Sequence, residues 1–198
     1  MSDSPKKTPM PLSMKVRHGV AASVVGVLVA GLWLALTTPV AGSAARVADD
    51  PLQALQPQLV TRRPAPDFSL PDRQGRSHTL QELRGRPVVL NFWSVDCPPC
   101  LEELPSLRRL SQIARAHGTF SVVTVSVDST WEAVSHLFPE GDETLVLLDP
   151  ERAVVTRSYG TSRFPETFLI DAEGNIRARF DGARDWSSRE VLEVIGSL

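Results

Sequence analysis

One stretch limits the possible folds more than any other. The uninterrupted apolar run PVVLNFW (Pro87–Trp93) leads within a few residues to Cys97-Pro98-Pro99-Cys100, and that pair opens a helical segment. A run without polar alternation reads as a strand buried on both faces. The helical segment extends from about Pro98 to His117, with Gly118 as its C-cap candidate and Pro105 inside it, where a kink is expected. Its leucines recur every three residues, at Leu101, Leu104, Leu107 and Leu110. FSVVTVSV (Phe120–Val127) and TLVLLD (Thr144–Asp149) are further strands, separated by a short helix that the Ser129/Glu132 spacing would cap. A helix over Glu151–Tyr159 precedes a hairpin of TFLID and IRARF about the turn AEGN, and Ser187–Ile195 is helical, capped by Ser187 or Ser188. Upstream, Asp67–Leu70 and Ser77–Leu80 flank PDRQGR as a small hairpin. Strands that alternate with helices predict an α/β chain with a parallel core, and the late hairpin adds antiparallel strands. The expected architecture is a mixed central sheet with helices on both faces. No glycine-rich loop follows a strand, which excludes dinucleotide binding.

Charge divides the chain of 198 residues unevenly. All three lysines (Lys6, Lys7, Lys15) and Arg17 precede the apolar run Gly19–Leu36, whereas from Thr37 onward 17 arginines face 22 acidic residues, a formal charge of −5. No basic stripe follows, so nucleic acid is excluded as a partner. As a helix, residues 19–36 would span about 27 Å, close to the hydrocarbon core of a bilayer. Basic residues before it and none just after place residues 1–18 in the cytoplasm and the rest outside. A cleaved signal peptide is the alternative, since small residues follow at Ala41 to Ala45. Residues 37–64, rich in Ala, Pro and Gln, read as a linker, and the folded domain is expected over 65–198.

The two cysteines are the only ones in the chain. At a helix N-terminus a thiolate is stabilised by unpaired amides and the macrodipole, which lowers its pKa from the free value of about 8.5. Cys97, at the exposed tip, is placed to attack a substrate disulfide; Cys100, one turn inward, then resolves the mixed disulfide. A structural zinc site would need further ligands, and His18, His78, His117 and His136 fall in unrelated segments. A purely structural disulfide across so short a loop would constrain little chain entropy.

Taken together, APDFSL (Ala65–Leu70), LRGRPVVLNFW (Leu83–Trp93), CPPCLEELP (Cys97–Pro105) and FPETFLIDAEGNI (Phe164–Ile176) resemble the TlpA/ResA-like family of membrane-anchored thioredoxins, which includes the cytochrome c maturation reductases. The resemblance implies a thioredoxin-like fold, with the segment between Asp128 and Gly160 as an inserted helix and strand. It implies that Pro165 is a cis-proline facing the cysteine pair, with Phe164 beside it in the substrate-binding surface; a trans proline opening an edge strand is the other reading. Glu103 falls where the family often has a buried acid that tunes thiol protonation, against an ordinary solvated helix charge. Trp93 reads as packing under the site. The sequence departs from the family at Asp96, where a tryptophan is usual. Asp96 would either cap the helix or disfavour the Cys97 thiolate by its charge.

The function implied is thiol–disulfide exchange outside the cytoplasm, at a bacterial inner membrane. The expected protein is a monomer with no cofactor beyond the Cys97–Cys100 disulfide and no metal. Its expected partners are exported cysteine-containing proteins, of apocytochrome c or copper-site type, and a membrane electron donor. Two alternatives stand beside it. A peroxiredoxin-like peroxidase would share the APDFSL pattern, but Leu90 stands where that chemistry needs proline. A copper-binding module could hold Cu(I) on two thiolates, although no Met or His cluster accompanies them.

Overall fold

The structure, a computed structural model, describes residues 50–198. Six strands form one sheet in the order β1-β8-β7-β4-β5-β6. At its centre β4 (Val88–Trp93) is fully buried along its length, as the apolar run requires. β5 (Ser121–Ser126) and β6 (Leu145–Leu148) lie parallel to it on one side. On the other side β7 (Glu166–Ile170) and β8 (Asn175–Asp181) form the antiparallel hairpin, and β1 (Leu59–Pro64) pairs antiparallel with β8. A separate hairpin joins β2 (Ser69–Pro71) to β3 (Ser77–Thr79).

Alternation along the strands divides the core. One face carries Val89, Leu169 and Phe180 against helix α2 (Pro98–His117) and helix α4 (Arg189–Gly196). The opposite face carries Leu90, Phe92 and Phe168 against Tyr159, the β2–β3 hairpin and a π-helical turn, Ala153–Ser158. The second face is therefore covered by a short turn and a hairpin, where the sequence suggested a full helix over Glu151–Tyr159. The inserted helix α3 (Trp131–Ser135) is capped at Thr130 without a side-chain bond, so the Ser129/Glu132 capping box does not form. Leu104, Leu107 and Leu110 enter the core, whereas Leu101 is 37 % exposed, because a three-residue period rotates off the buried stripe.

The largest correction concerns residues 37–64. The part of that linker within the described residues is structured: α1 (Pro51–Ala54) is a helical turn capped by Asp50, and β1 extends the sheet. Leu52 is buried at 2 % exposure beside α4. The folded domain thus already includes Pro51–Pro64, ahead of the expected start at Ala65. β1 lacks a sequence signature because it is an edge strand exposed along nearly its whole length, held by backbone pairing to β8. Among the described residues no helix is long and apolar enough to cross a membrane, and the candidate span 19–36 lies outside them.

Candidate functional site

β4 delivers the chain to the cysteine pair. Beyond Trp93, Asp128 at the end of β5 accepts hydrogen bonds from Ser94 Oγ at 3.2 Å, Val95 N at 3.0 Å and Ser126 Oγ at 2.6 Å, which ties the loop down before α2 begins. Cys97 is the N-cap of α2, and its sulfur accepts from the Cys100 amide at 3.3 Å. Asp96 is exposed and does not take the cap position that its side chain suits. Pro98 and Pro99 open the helix where amide hydrogens would go unpaired anyway.

Cys97 and Cys100 form a disulfide, with Cα atoms 5.3 Å apart. The two sulfurs differ in environment. Cys100 is 1 % exposed, in a cluster with Trp93, Leu104 and Phe138, whereas Cys97 is half-buried at its rim together with Val95, Trp131 and Phe164. Trp93 packs edge-on to Phe138, with ring centroids 5.8 Å apart, consistent with support beneath the pair. The Phe164–Pro165 peptide is cis. Phe164 thus joins the cysteine cluster, with the cis bond directly after it.

Glu103 is not a solvated helix charge. It is 3 % exposed and faces the sheet one turn beyond Cys100. Asn91 Nδ2 donates to its Oε1 at 2.8 Å, and Trp186 Nε1 donates to its Oε2 at 2.9 Å. The Arg184 amide adds a longer bond to Oε2 at 3.3 Å. Burial pushes the carboxyl up to about 7, while the Trp186, Asn91 and Arg184 donors and the Arg184 charge oppose that rise. Asn91, Thr167, Arg184 and Trp186 are members of this site that the sequence alone did not single out. Asn91 left a trace there, as the one strongly polar residue in PVVLNFW. Arg184 and Trp186 meet Glu103 only through the chain beyond β8, and Thr167 joins through Asn91, whose Nδ2 also donates to Thr167 Oγ1 at 2.9 Å.

A second carboxyl, Glu166, follows Pro165 on the opposite face of the sheet. It accepts from Thr161 Oγ1 and lies 3.4 Å from Arg179 Nε, and burial raises its pKa.

A disulfide at a helix N-terminus, one sulfur accessible and one buried, with a neutral-range acid one turn deeper, is equipped for exchange with another disulfide. The Redoxin family profile matches residues 61–195. The chain belongs to the Redoxin family. It is 34 % identical over 118 residues to the thiol-disulfide oxidoreductase ResA of Geobacillus thermodenitrificans, covering 60 % of this chain and 67 % of that protein. It is 37 % identical over 132 residues to the thiol:disulfide interchange protein DsbE of Allochromatium vinosum, covering 65 % and 71 %. The crystal structure of a DsbE-type protein from Chlorobium tepidum superposes with a TM-score of 0.61 at 28 % identity, over 70 % of this chain and all of that one. This Redoxin-family chain has the thioredoxin-like fold and is a thiol-disulfide oxidoreductase of the ResA/DsbE type.

Proposed function

We propose that this oxidoreductase works outside the cytoplasm as a reductant of disulfides in exported proteins, through Cys97 and Cys100. The observation that carries the reading is the asymmetry of the pair, with Cys97 half-buried at the N-cap of α2 and Cys100 sealed beneath it beside Glu103. In the reduced protein the Cys97 thiolate attacks one sulfur of a substrate disulfide, and the other substrate sulfur leaves as a thiolate that takes up a proton. Glu103 then receives the Cys100 proton, and Cys100 attacks Cys97 Sγ. The second substrate sulfur is released, and the protein is left as the Cys97–Cys100 disulfide. A membrane donor returns two electrons. Pro165, next to Phe164 at the cysteine cluster, supports the reading, since a residue without an amide hydrogen leaves neighbouring backbone free to pair with an extended substrate.

The substrates proposed are disulfides of apocytochrome c-like or copper-site cysteine pairs, in keeping with the family resemblance of the sequence. Residues 19–36 serve as the membrane anchor, with residues 1–18 inside and the folded domain on the outer side. A substrate-trapping experiment tests the assignment. Cys100→Ser should accumulate mixed disulfides through Cys97 with exported proteins, and Cys97→Ser should accumulate none. Equal trapping by both variants would refute the division of roles. Membrane retention after alkaline extraction, with the domain open to external protease, tests the anchor.

A further inference from the structure

The three donors to Glu103 arrive from two sides. Asn91 comes from β4, whereas the Arg184 amide and the Trp186 indole come from the chain between β8 and α4. No strand pairing fixes that segment, and other contacts hold it. Ser106 Oγ accepts from the Trp186 amide at 3.0 Å and donates toward the carbonyls of Glu103 at 2.7 Å and Arg184 at 3.3 Å. The Arg184 guanidinium lies 4.2 Å from the Phe180 ring centroid and 5.3 Å from that of Trp186. Its Nη1 donates to the Leu55 carbonyl at 2.9 Å, at the end of α1.

We propose that Arg184 and Trp186 are positioning residues for Glu103, and that the α1 turn, by holding Arg184, is part of the same device. The proposal rests on Glu103 acting as the proton carrier for the thiols. An indole N–H and a guanidinium both stabilise the ionised carboxylate, and burial favours the acid; set against each other, they bring the group into the neutral range useful for proton transfer. The surroundings leave Arg184 as the cation facing Glu103. Asn91 and Thr167 on the sheet are uncharged, and Glu102 and Asp185 are exposed. Arg109 lies in a salt bridge with Asp185. Burial lowers the Arg184 pKa and the Glu103 charge opposes that fall, the reciprocal sign of the same coupling.

The test is a titration of the Glu103 carboxyl by carbon-13 NMR in the full-length disulfide form, where the cysteines do not titrate. It is paired with the pH profile of disulfide reduction by the reduced protein. Glu103→Gln identifies the signal by its loss. Trp186→Phe removes the indole donor but keeps an aromatic ring, and Arg184→Leu removes the cation but keeps an apolar stem. Each should move the midpoint upward by about half a pH unit or more, roughly threefold in proton affinity. The reduction profile should move the same way. An unshifted midpoint in a folded Arg184→Leu protein overturns the proposal, even if Trp186→Phe does not fold. If Glu103→Gln leaves the reduction profile unchanged, the proton-carrier reading fails and the proposal falls with it; shifted midpoints alone would not rescue it.

Discussion

Burial alone would hold Glu103 neutral well above pH 7, and its donors alone would hold it ionised; the protein sets one against the other. The stability consequence has a definite sign. The folded carboxyl titrates at about 7 against an ordinary value of 4.5, so its contribution is fully present below pH 4.5 and is lost as pH rises through 7. Denaturant unfolding should show the oxidised protein losing about 1–3 kcal/mol between pH 4.5 and 8 from this group, a slope that Glu103→Gln removes. Glutamine keeps an oxygen for the Trp186 and Arg184 donors, and Asn91 Oδ1 can accept its amide hydrogen once the Asn91 side chain turns, which gives up the Asn91 bond to Thr167. At this scale the sequence was legible where chemistry is local. Cys97 and Cys100 announce themselves within four residues, whereas Asn91 and Trp186 lie 12 and 83 positions from Glu103, and no local pattern links them.

The elements that carry the site are supported by two features of opposite visibility. The β2–β3 turn was readable from PDRQGR, and its centre is Asp72, 3 % exposed, which accepts from the amides of Gln74 and Arg76 at 2.9 Å each and from His78 Nε2 at 2.8 Å. Burial works against its charge, yet the His78, Arg76 and Gln74 donors hold its carboxyl down at about 2. Its stabilisation is therefore present above the ordinary value of 3.8 and is lost as pH falls toward 2. Asp72→Ala should cost about 1–3 kcal/mol at neutral pH, and the cost should shrink in acid, measured by thermal unfolding across pH. The α1 turn and β1 were not readable, since an exposed edge strand shows no apolar alternation. Their contribution is nonetheless measurable. Leu52→Ala should cost about 2–4 kcal/mol. A chain beginning at Ala65 should melt about 5 °C or more below one beginning at Asp50, because it lacks Leu52 and uncovers β8. Equal melting temperatures would restore the later boundary.

Across the whole molecule, the mixed sheet was legible because its central strands are apolar runs that pair with one another, β4 with β5 and β7. What was not legible is how the second face is covered: the π-helical turn over Ala153–Ser158 hangs on Asp149, whose carboxylate accepts from the amides of Ala153, Val154 and Val155 at 2.8–2.9 Å. Three bonds to one buried acid fix a geometry that helix periodicity does not foretell. The same scale holds the question of direction, since one fold can reduce or oxidise depending on how strongly it stabilises the dithiol. The reduction potential of the Cys97–Cys100 couple tests this most directly. The protein is equilibrated with glutathione buffers and its free thiols are counted by alkylation and mass. A reductant should show a potential near or below thioredoxin's, roughly −270 mV. A value near that of DsbA, roughly −120 mV, would make the protein an oxidant and contradict the proposed role as reductant.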